Sequence, residues 1–368
     1  MKRRSFLTSP AICAANAGML AACSQQQPVD SSISSLPTIH WRMATSWTPS
    51  LDIMFGSAEM VCQRVNAMTD GRFSITPYPS GEIVAPLEVL DAVSKETVEC
   101  GYTSSLFYIK QQSALAFAAG VPFGLSSQQQ NTWLYAAGGL ETIQNLYANF
   151  GIINFPGGDT GGQMGGWFNK KIETIDSFKG LRMRIPGLGG EVMARLGVKV
   201  QTLPSTEIMA ALTQGKIDAV EWNVPYDEEK LGLHKAAPFY YYPGWWEPSG
   251  TLDFLVNLQQ WQKLPIEYQK IFQTAAAEAH VKTLAKYNAV NGQVMQRFIA
   301  SGTQLIPYSQ EILQKAKTVT FAMYEELALQ NKTFQKVYEP WKKFHEKINN
   351  WNRMNAYSFT DFAFNNVD

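Results

Sequence analysis

The sequence contains few cysteines and histidines, and it lacks the common motifs of catalysis. Its 4 Cys and 4 His include no pair at the spacing of zinc ligands, which argues against a structural zinc site. The patterns GxSxG and HExxH and the Walker loop are absent, so no hydrolase or nucleotide-binding motif is available. Lys+Arg and Asp+Glu both number 31, and no basic tract is present. We therefore expect no nucleic-acid partner.

The composition is typical of a globular protein with sizeable apolar cores. The chain has 368 residues, of which 45% are hydrophobic and 17% are charged. That length exceeds one small domain and indicates two lobes. The 10 Trp residues bury large areas in cores and can also line ligand sites.

The N-terminus carries the pattern of an export signal. Residues 2–7 resemble the n-region of a signal peptide, with three basic residues at positions 2–4. Residues 11–22 are mildly apolar, a stretch too short to span a bilayer, which predicts a cleaved signal. The adjacent arginines resemble a twin-arginine signal, and residues 20–23 resemble a lipobox in which Cys23 is lipidated. The alternative is an ordinary signal with an unmodified Cys23. The polar residues up to position 36 then form a tether, so membrane contact is expected only through the lipid anchor.

Two cysteines remain for the folded body, Cys62 in a helical pattern and Cys100 in a strand pattern. We expect two buried free thiols. A Cys62–Cys100 disulfide is the alternative.

Strands and helices alternate along the first two thirds of the chain, which predicts an α/β fold with parallel pairing. Strands are expected at 38–44, 71–77, 98–102, 152–155, 181–185, 198–202, 219–222 and 252–257. Helices are expected at 51–68, 84–93, 128–150, 187–196, 206–214, 266–300, 310–330 and 332–349. We expect lobe I to contain residues 37–155 and about 251–300, lobe II residues 156–250, and the C-terminal helices residues 301–368.

Arg184 ends a predicted strand just before Pro186 and Gly187. Ligands of open α/β sheets bind outside the carboxyl ends of strands, and a guanidinium there can hold a carboxylate through two hydrogen bonds. A structural ion pair at a domain edge is the alternative.

Two acids stand at comparable positions, Glu221 at a strand end and Glu247 after a Trp-Trp pair. Carboxylates beside an apolar cleft repel each other unless one is protonated or a cation lies between them. Oxygen ligands suit sodium or calcium, and Gln163 in a glycine-rich run can add an amide oxygen. The alternatives are a surface role for Glu221 and a turn role for Gln163.

Several stretches together resemble one family, the solute-binding proteins of TRAP (tripartite ATP-independent periplasmic) transporters. They are residues 155–168, 182–184, 217–222, 225–232 and 240–247, with further likeness at 41–42, 50–52 and 97–100. The α-keto-acid and lactate binders are the most similar members. The resemblance implies a two-lobed fold like that of type II periplasmic binding proteins, with a long helix and C-terminal helices, which closes on its ligand.

The resemblance also implies roles for individual residues. Arg184 pairs with the substrate carboxylate, and Gln163 contacts both ligand and metal. The cation, sodium or calcium, is bound by Gln163, Glu221, the backbone carbonyl of Trp222, and Glu247. Trp222, Glu247 and Tyr108 also lie at the substrate, Tyr108 as a neighbouring aromatic.

These observations predict a binding protein and not an enzyme. It captures a small 2-oxo or 2-hydroxy monocarboxylate, similar to pyruvate or lactate, and delivers it to TRAP membrane permease subunits. By resemblance it forms a homodimer through its C-terminal helices. A metal-dependent α/β enzyme acting on short organic acids, with Glu221 or Glu247 as base, is the alternative, and a sensory receptor is a third. We expect Arg184→Ala to abolish acid binding and to leave the fold intact.

Overall fold

The computed structural model describes residues 35–365. Cys23 and the predicted signal and tether up to position 34 lie outside the described residues. Within residues 35–365, no helix combines the length and the apolar character that a membrane crossing requires.

The described chain contains eleven strands and fourteen α-helices. The strands are β1 (Ile39–Thr45), β2 (Phe73–Tyr78), β3 (Cys100–Thr103), β4 (Ile152–Asp159), β5 (Trp167–Phe168), β6 (Arg182–Arg184), β7 (Lys199–Gln201), β8 (Ala219–Val220), β9 (Phe239–Tyr242), β10 (Thr251–Asn257) and β11 (Gln304–Pro307). The helices are α1 (Asp52–Met68), α2 (Val89–Ser94), α3 (Ala116–Ala119), α4 (Ser127–Ala136), α5 (Gly139–Ala148), α6 (Gly187–Arg195), α7 (Ser205–Thr213), α8 (Pro225–Leu231), α9 (Leu233–Ala236), α10 (Leu258–Lys263), α11 (Ile266–Ala300), α12 (Gln310–Gln330), α13 (Lys332–Asn352) and α14 (Ser358–Asn365).

The first sheet has the strand order β2-β1-β3-β10-β4. β1 pairs in parallel with β2 and with β3, as the alternating pattern predicts, whereas β10 is antiparallel to β3 and β4. All seven residues of β10 are buried, because helices cover both faces of the sheet at its centre. Its pairing with β3 and β4 puts β10 in the same sheet as β1, the arrangement expected of a strand that returns to the first lobe.

The second sheet has the order β11-β9-β5-β8-β6-β7. β6 pairs in parallel with β7 and β8, and the two-residue strand β5 lies antiparallel between β8 and β9. The register places Arg184 opposite Val220, so the residue after β6 and the residue after β8 leave the sheet at the same edge. The fold is thus the predicted α/β type with two lobes, although both sheets are mixed rather than purely parallel.

Two predicted helices are shorter than the patterns indicated. The helix expected at 84–93 is only α2, because Pro86 restricts the preceding residue and lacks an amide proton for a helical hydrogen bond. The helix expected at 128–150 is two helices, separated at Gly138, whose φ of 77° is the left-handed conformation that glycine adopts without strain. The helices expected at 266–300 and 310–330 are confirmed at both ends as α11 and α12.

The long helix α11 packs on elements of both sheets. Near its middle His280 bonds to the carbonyl of Gly158 at 2.9 Å, and Tyr287 donates to Asp227 of α8 at 2.6 Å. Near its end Phe298 packs edge-on against Trp167 of β5. One rigid helix therefore contacts both lobes.

Cys62 and Cys100 are both buried and free, so the disulfide alternative is wrong and the free thiols are confirmed.

The C-terminal helices carry a buried cluster of aromatic side chains at one end and exposed ones at the other. Rings from α3, α12 and α13 pack together at Phe117, Tyr324, Phe334, Tyr338 and Trp341. Beyond this cluster the apolar side chains are exposed: Trp351, Met354, Tyr357, Phe359, Phe362 and Phe364.

Candidate functional site

A small cavity lies where the strand ends of the two sheets face each other. Its polar lining comes from Ser104, Thr160, Gln163, Arg184, Glu221, Asn223, Glu247 and Thr251. Its apolar lining comes from Trp47, Met54, Leu106, Phe107, Pro186, Trp222 and Leu252. The volume open to the centre of a water molecule is about 40 Å³, roughly three water positions at ~10–15 Å³ each. The site therefore suits a molecule of a few non-hydrogen atoms.

Arg184 is the last residue of β6 and its side chain is 2% exposed. Its Nη1 donates to the backbone carbonyl of Glu221 at 2.7 Å and to Oε2 of the same residue at 2.8 Å. Its Nε donates to the carbonyl of Leu203 at 3.2 Å. Among residues 35–365 these bonds leave Nη2 as the guanidinium nitrogen without a protein acceptor. Burial lowers the pKa of Arg184, Glu221 and Glu247 raise it, and the group stays charged at neutral pH.

Glu221 follows β8 directly and is buried beside Arg184. Its backbone amide donates to the Arg184 carbonyl at 2.9 Å, which continues the pairing of the two strands by one step. Burial raises the pKa of Glu221, although Arg184 opposes this shift. Burial is the larger effect because the acid is removed from water on all sides.

Gln163 and Glu247 are held together by their backbones as well as by their side chains. The Gln163 amide donates to the Glu247 carbonyl at 3.1 Å, and the Gly244 amide donates to the Gln163 carbonyl at 3.0 Å. A Cβ at Gly244 would lie 2.4 Å from that carbonyl oxygen, so only glycine permits this approach. Gln163 Nε2 donates to Glu247 Oε2 at 2.5 Å. The oxygen of the same side-chain amide, Gln163 Oε1, is buried and lacks a partner in the described chain.

Trp222 closes the site between the lobes. Its ring lies under the Arg184 guanidinium, 4.9 Å from ring centre to Cζ, in a cation–π contact. The ring of Trp47, after β1 of the first sheet, meets it edge-on at 6.4 Å. The neighbouring carbonyls of Glu221 and Asn223 accept hydrogen bonds from Arg184 and from the Met164 amide. Within the described residues no hydrogen bond uses the Trp222 carbonyl.

The oxygen atoms at this site suit a hard cation. One guanidinium faces two buried carboxylates, and burial together with Glu221 raises the pKa of Glu247 well above its ordinary value. Gln163, whose amide oxygen has no partner within residues 35–365, and Trp222 also line the cavity. No group of three or more Asp, Glu, His or Cys side chains in residues 35–365 is placed to hold a metal. A cation at this site therefore needs the neutral oxygens as well as the acids, which is the ligand type of sodium or calcium.

Tyr108 does not line the cavity. It ends the 3₁₀ turn Ser105–Tyr108, and its hydroxyl bonds to Thr103 Oγ1 at 2.8 Å and accepts from the Leu90 amide at 3.3 Å, within the first lobe. The aromatic residue of this turn that lines the cavity is Phe107. The phase of a short turn decides which of two adjacent rings points inward, and the sequence pattern does not report that phase.

The cavity also contains residues that sequence analysis missed. Trp47 and Met54 reach it from the end of β1 and the start of α1, and Asn223 from the loop after Trp222. Asn223 could have been identified from its position in the sequence, two residues after Glu221 and shortly before the proline that starts α8.

The sequence matches the model of a known family over residues 43–331, described as DctP, bacterial extracellular solute-binding protein, family 7. The chain belongs to this family. A monocarboxylate 2-oxoacid-binding periplasmic protein of Nostoc sp. is 56% identical over 99% of both chains. The chain is therefore an extracytoplasmic TRAP solute receptor, and membership of a family of receptors excludes the enzyme alternative.

Two solved structures of TRAP solute-binding proteins extend this likeness to three dimensions. One, from Bordetella bronchiseptica, is 41% identical with a TM-score of 0.88 and covers 89% of this chain and 98% of its own. It is described as a dimer with copurified calcium and picolinate in one active site. The other, from Pseudoalteromonas atlantica, is 32% identical with a TM-score of 0.85, covers 88% of this chain and 99% of its own, and contains sodium and pyruvate.

Proposed function

We propose that this receptor binds a small 2-oxo or 2-hydroxy monocarboxylate, similar to pyruvate or lactate, together with sodium or calcium, and delivers it to TRAP permease subunits. The observation that carries the proposal is that Arg184, Gln163, Glu221 and Glu247 all line one small cavity, with Gln163 Oε1 buried and without a partner in the described residues. The relatives of Nostoc, Bordetella and Pseudoalteromonas support this class of ligand.

Arg184 recognises the carboxylate in this proposal. Its Nη2 is the donor that remains after the bonds to Glu221 and Leu203, and the guanidinium is the only cationic side chain that lines the cavity in the described residues. Because Nε, Nη1 and the Trp222 ring fix the plane of the group, the ligand meets a preoriented donor.

The cation is held by Gln163 Oε1, Glu221, the Trp222 carbonyl and Glu247. It supplies positive charge between two buried acids, so both carboxylates remain ionised while the site also contains the ligand's own negative charge. The oxygen on the α-carbon of the acid adds to this set of ligands, which explains a preference for 2-oxo and 2-hydroxy acids.

The apolar wall limits the length of the acid. Met54, Leu106 and Phe107 come from the first lobe and face the polar groups of the second. A short alkyl end fits against them, whereas a second carboxylate would be buried there without a partner.

Isothermal titration calorimetry of metal-free protein tests this proposal. We expect pyruvate to bind at one per chain only when calcium or sodium is present, and succinate not to bind. Recovered pyruvate should be chemically unchanged. Tight binding of succinate, or equal binding of pyruvate in the presence of a chelator without sodium, would contradict it.

We further propose that the twin-arginine-like signal exports the chain and that Cys23 anchors it to a membrane by lipid. The sequence pattern of residues 2–23 supports this part of the proposal. Fractionation of cells that express the wild-type chain or Cys23→Ser tests it. Wild-type protein should sediment with membranes, and the variant should be found in the soluble periplasmic fraction.

The proposed assembly is a homodimer through the C-terminal helices. Two observations support it: the exposed aromatic side chains of these helices and the dimer described for the Bordetella protein.

The proposed lobes are those predicted from the sequence, with two adjustments. β4 continues to Asp159, so we place the crossing after it, and β11 is assigned to lobe II because it pairs with β9. The lobes close on the ligand by a hinge motion at the crossings.

A further inference from the structure

A buried hydrogen-bond network lies directly behind the cavity wall. Asn223, which lines the cavity, donates from Nδ2 to Asp227 Oδ2 at 2.9 Å. The same Oδ2 accepts the hydroxyl proton of Tyr287 on α11 at 2.6 Å. Asp227 and Tyr287 are fully buried, and Asp227 Oδ1 has no partner in the described part of the chain. Two donors on one oxygen thus hold this acid in place.

Asn223 connects this network to two backbone segments that carry proposed cation ligands, one at Gln163 and the other at Glu221. Its Oδ1 accepts from the Val224 amide at 2.5 Å, which fixes the amide group at the start of α8. Its backbone carbonyl accepts from the Met164 amide at 3.1 Å, the residue after Gln163. Glu221 stands two residues before it. The side-chain bonds of Asn223 to Asp227 and to the Val224 amide hold its backbone, and a change in that backbone conformation displaces the residues next to Gln163 and Glu221.

We propose that Asp227 is a positioning residue for the cavity, which together with Tyr287 fixes Asn223 and so preorganises the Gln163 and Glu221 runs for the ligand. This inference rests on the proposed function of the same site. Buried polar groups that orient the residues in contact with a ligand affect affinity without touching it. Because Tyr287 is on the helix that contacts both lobes, the network also fixes the loop relative to that helix.

The chain contains a matched control on the same helix. Glu228, next to Asp227, is equally buried and accepts the hydroxyl proton of Tyr240. Neither Glu228 nor Tyr240 lines the cavity, and Tyr240 stacks on Trp167 in the core of the second lobe. Tyr287→Phe and Tyr240→Phe therefore remove the same chemical group from the same kind of bond, but only Tyr287 donates to the acid that accepts from the Asn223 side chain.

The test measures pyruvate affinity with calcium present, and calcium affinity alone, for the wild-type chain, Y287F, Y240F, N223A and the double variant N223A/Y287F. We expect Y287F to weaken pyruvate binding about tenfold, within the coupling found in shared hydrogen-bond networks, at unchanged stoichiometry. Y240F should lower the melting temperature but change affinity by less than about twofold. In the N223A background, Y287F should still reduce stability but should no longer reduce affinity, a result that a purely structural role of Tyr287 does not produce.

The outcomes separate the two proposals. If the wild-type chain binds neither pyruvate nor calcium, the proposed function and this inference both fail. If the wild-type chain binds and Y287F retains its affinity, or if Y287F reduces affinity equally with and without Asn223, the inference alone is wrong. Asp227→Asn, which exchanges an acceptor for an amide, should reproduce the loss of affinity if it folds, and Y287F tests the proposal if it does not.

Discussion

Arg184 and Glu221 form a buried ion pair in which one nitrogen, Nη1, donates to both the carbonyl and the carboxylate of the acid. Both side chains are 2% exposed. Removal of one partner from such a pair costs about 3–5 kcal/mol, because the other charge is left buried without compensation. The sequence-based expectation that Arg184→Ala leaves the fold intact is therefore revised. We now expect that variant to lose stability as well as binding.

Arg184→Lys separates recognition from stability. Lysine retains the positive charge beside Glu221 but not the planar fork, so we expect pyruvate affinity to fall about thirty- to hundredfold by calorimetry while the protein still folds. The control is Arg182→Lys on the same strand, where the native arginine is exposed and paired with Asp218 at 2.6 Å. That variant should bind normally. Normal binding by Arg184→Lys would show that the guanidinium does not hold the carboxylate.

The stability of the metal-free protein should fall as pH rises from about 5 to about 8. Burial raises the pKa of Glu228 to about 8 and that of Asp227 and Asp253 to about 6, and burial together with Glu221 raises the pKa of Glu247 well above its ordinary value. In this window the folded chain holds protons that the unfolded chain releases, so unfolding becomes more favourable as the proton concentration falls. Thermal melts in a chelator should therefore give a lower melting temperature at pH 8 than at pH 6.

Calcium should reverse this trend, because a cation between Glu221 and Glu247 replaces the proton. The rise in melting temperature on addition of calcium is expected to be larger at pH 8 than at pH 6. Glu247→Gln should stabilise the metal-free protein at pH 8 and lose the response to calcium. Glu228→Gln changes a buried acid that acts on Glu221 electrostatically but does not line the cavity, and this variant should keep that response. An equal calcium effect at both pH values would argue against competition between cation and proton.

Much of the site follows from strand order in the sequence. Arg184 ends one strand, Glu221 follows another, and parallel neighbours place their carboxyl ends at one sheet edge, so their meeting is predictable. The contact of Gln163 with Glu247 depends instead on a glycine that lets two loops approach, and 84 residues separate the pair. Local periodicity contains no information on such distant pairings.

The structural features that the sequence did not predict have the same cause, since they depend on contacts between residues that are far apart in the chain. The pairing of Asp227 with Tyr287 joins residues 60 positions apart, and only the path of α11 across both lobes brings them together. The break at Gly138 had a visible signal in its Gly-Gly pair, whereas β11 lies within a region that reads as helical and is a strand because β9 offers an open edge.

Gln163→Glu should change cation selectivity. The native Oε1 is buried and has no partner within residues 35–365, and a third carboxylate beside Glu247 adds negative charge that a divalent ion compensates better than a monovalent one. We expect the ratio of calcium to sodium affinity, measured by competition titration, to rise about tenfold or more. Gln163→Met provides the control, since it keeps the length but removes the amide oxygen. Gln163→Met should weaken the binding of both ions. An unchanged ratio of calcium to sodium affinity in Gln163→Glu would show that Gln163 is not a ligand of the cation.

Phe107→Ala should admit longer acids. The Phe107 ring is part of the apolar wall that faces the polar groups of the second lobe, and its removal opens space next to a cavity of about 40 Å³. We expect the affinity for a 2-oxo acid with two or three more methylene groups to rise relative to pyruvate by about fourfold per added group, at ~0.8 kcal/mol for each buried methylene. Tyr108→Phe is the matched control: it changes the adjacent ring, whose hydroxyl bonds to Thr103 away from the cavity. That variant should lose some stability but keep the preference for pyruvate. If Tyr108→Phe shifts chain-length selectivity and Phe107→Ala does not, then the aromatic wall is formed by Tyr108, as the family resemblance predicts, and the ligand lies deeper in the first lobe than the cavity indicates.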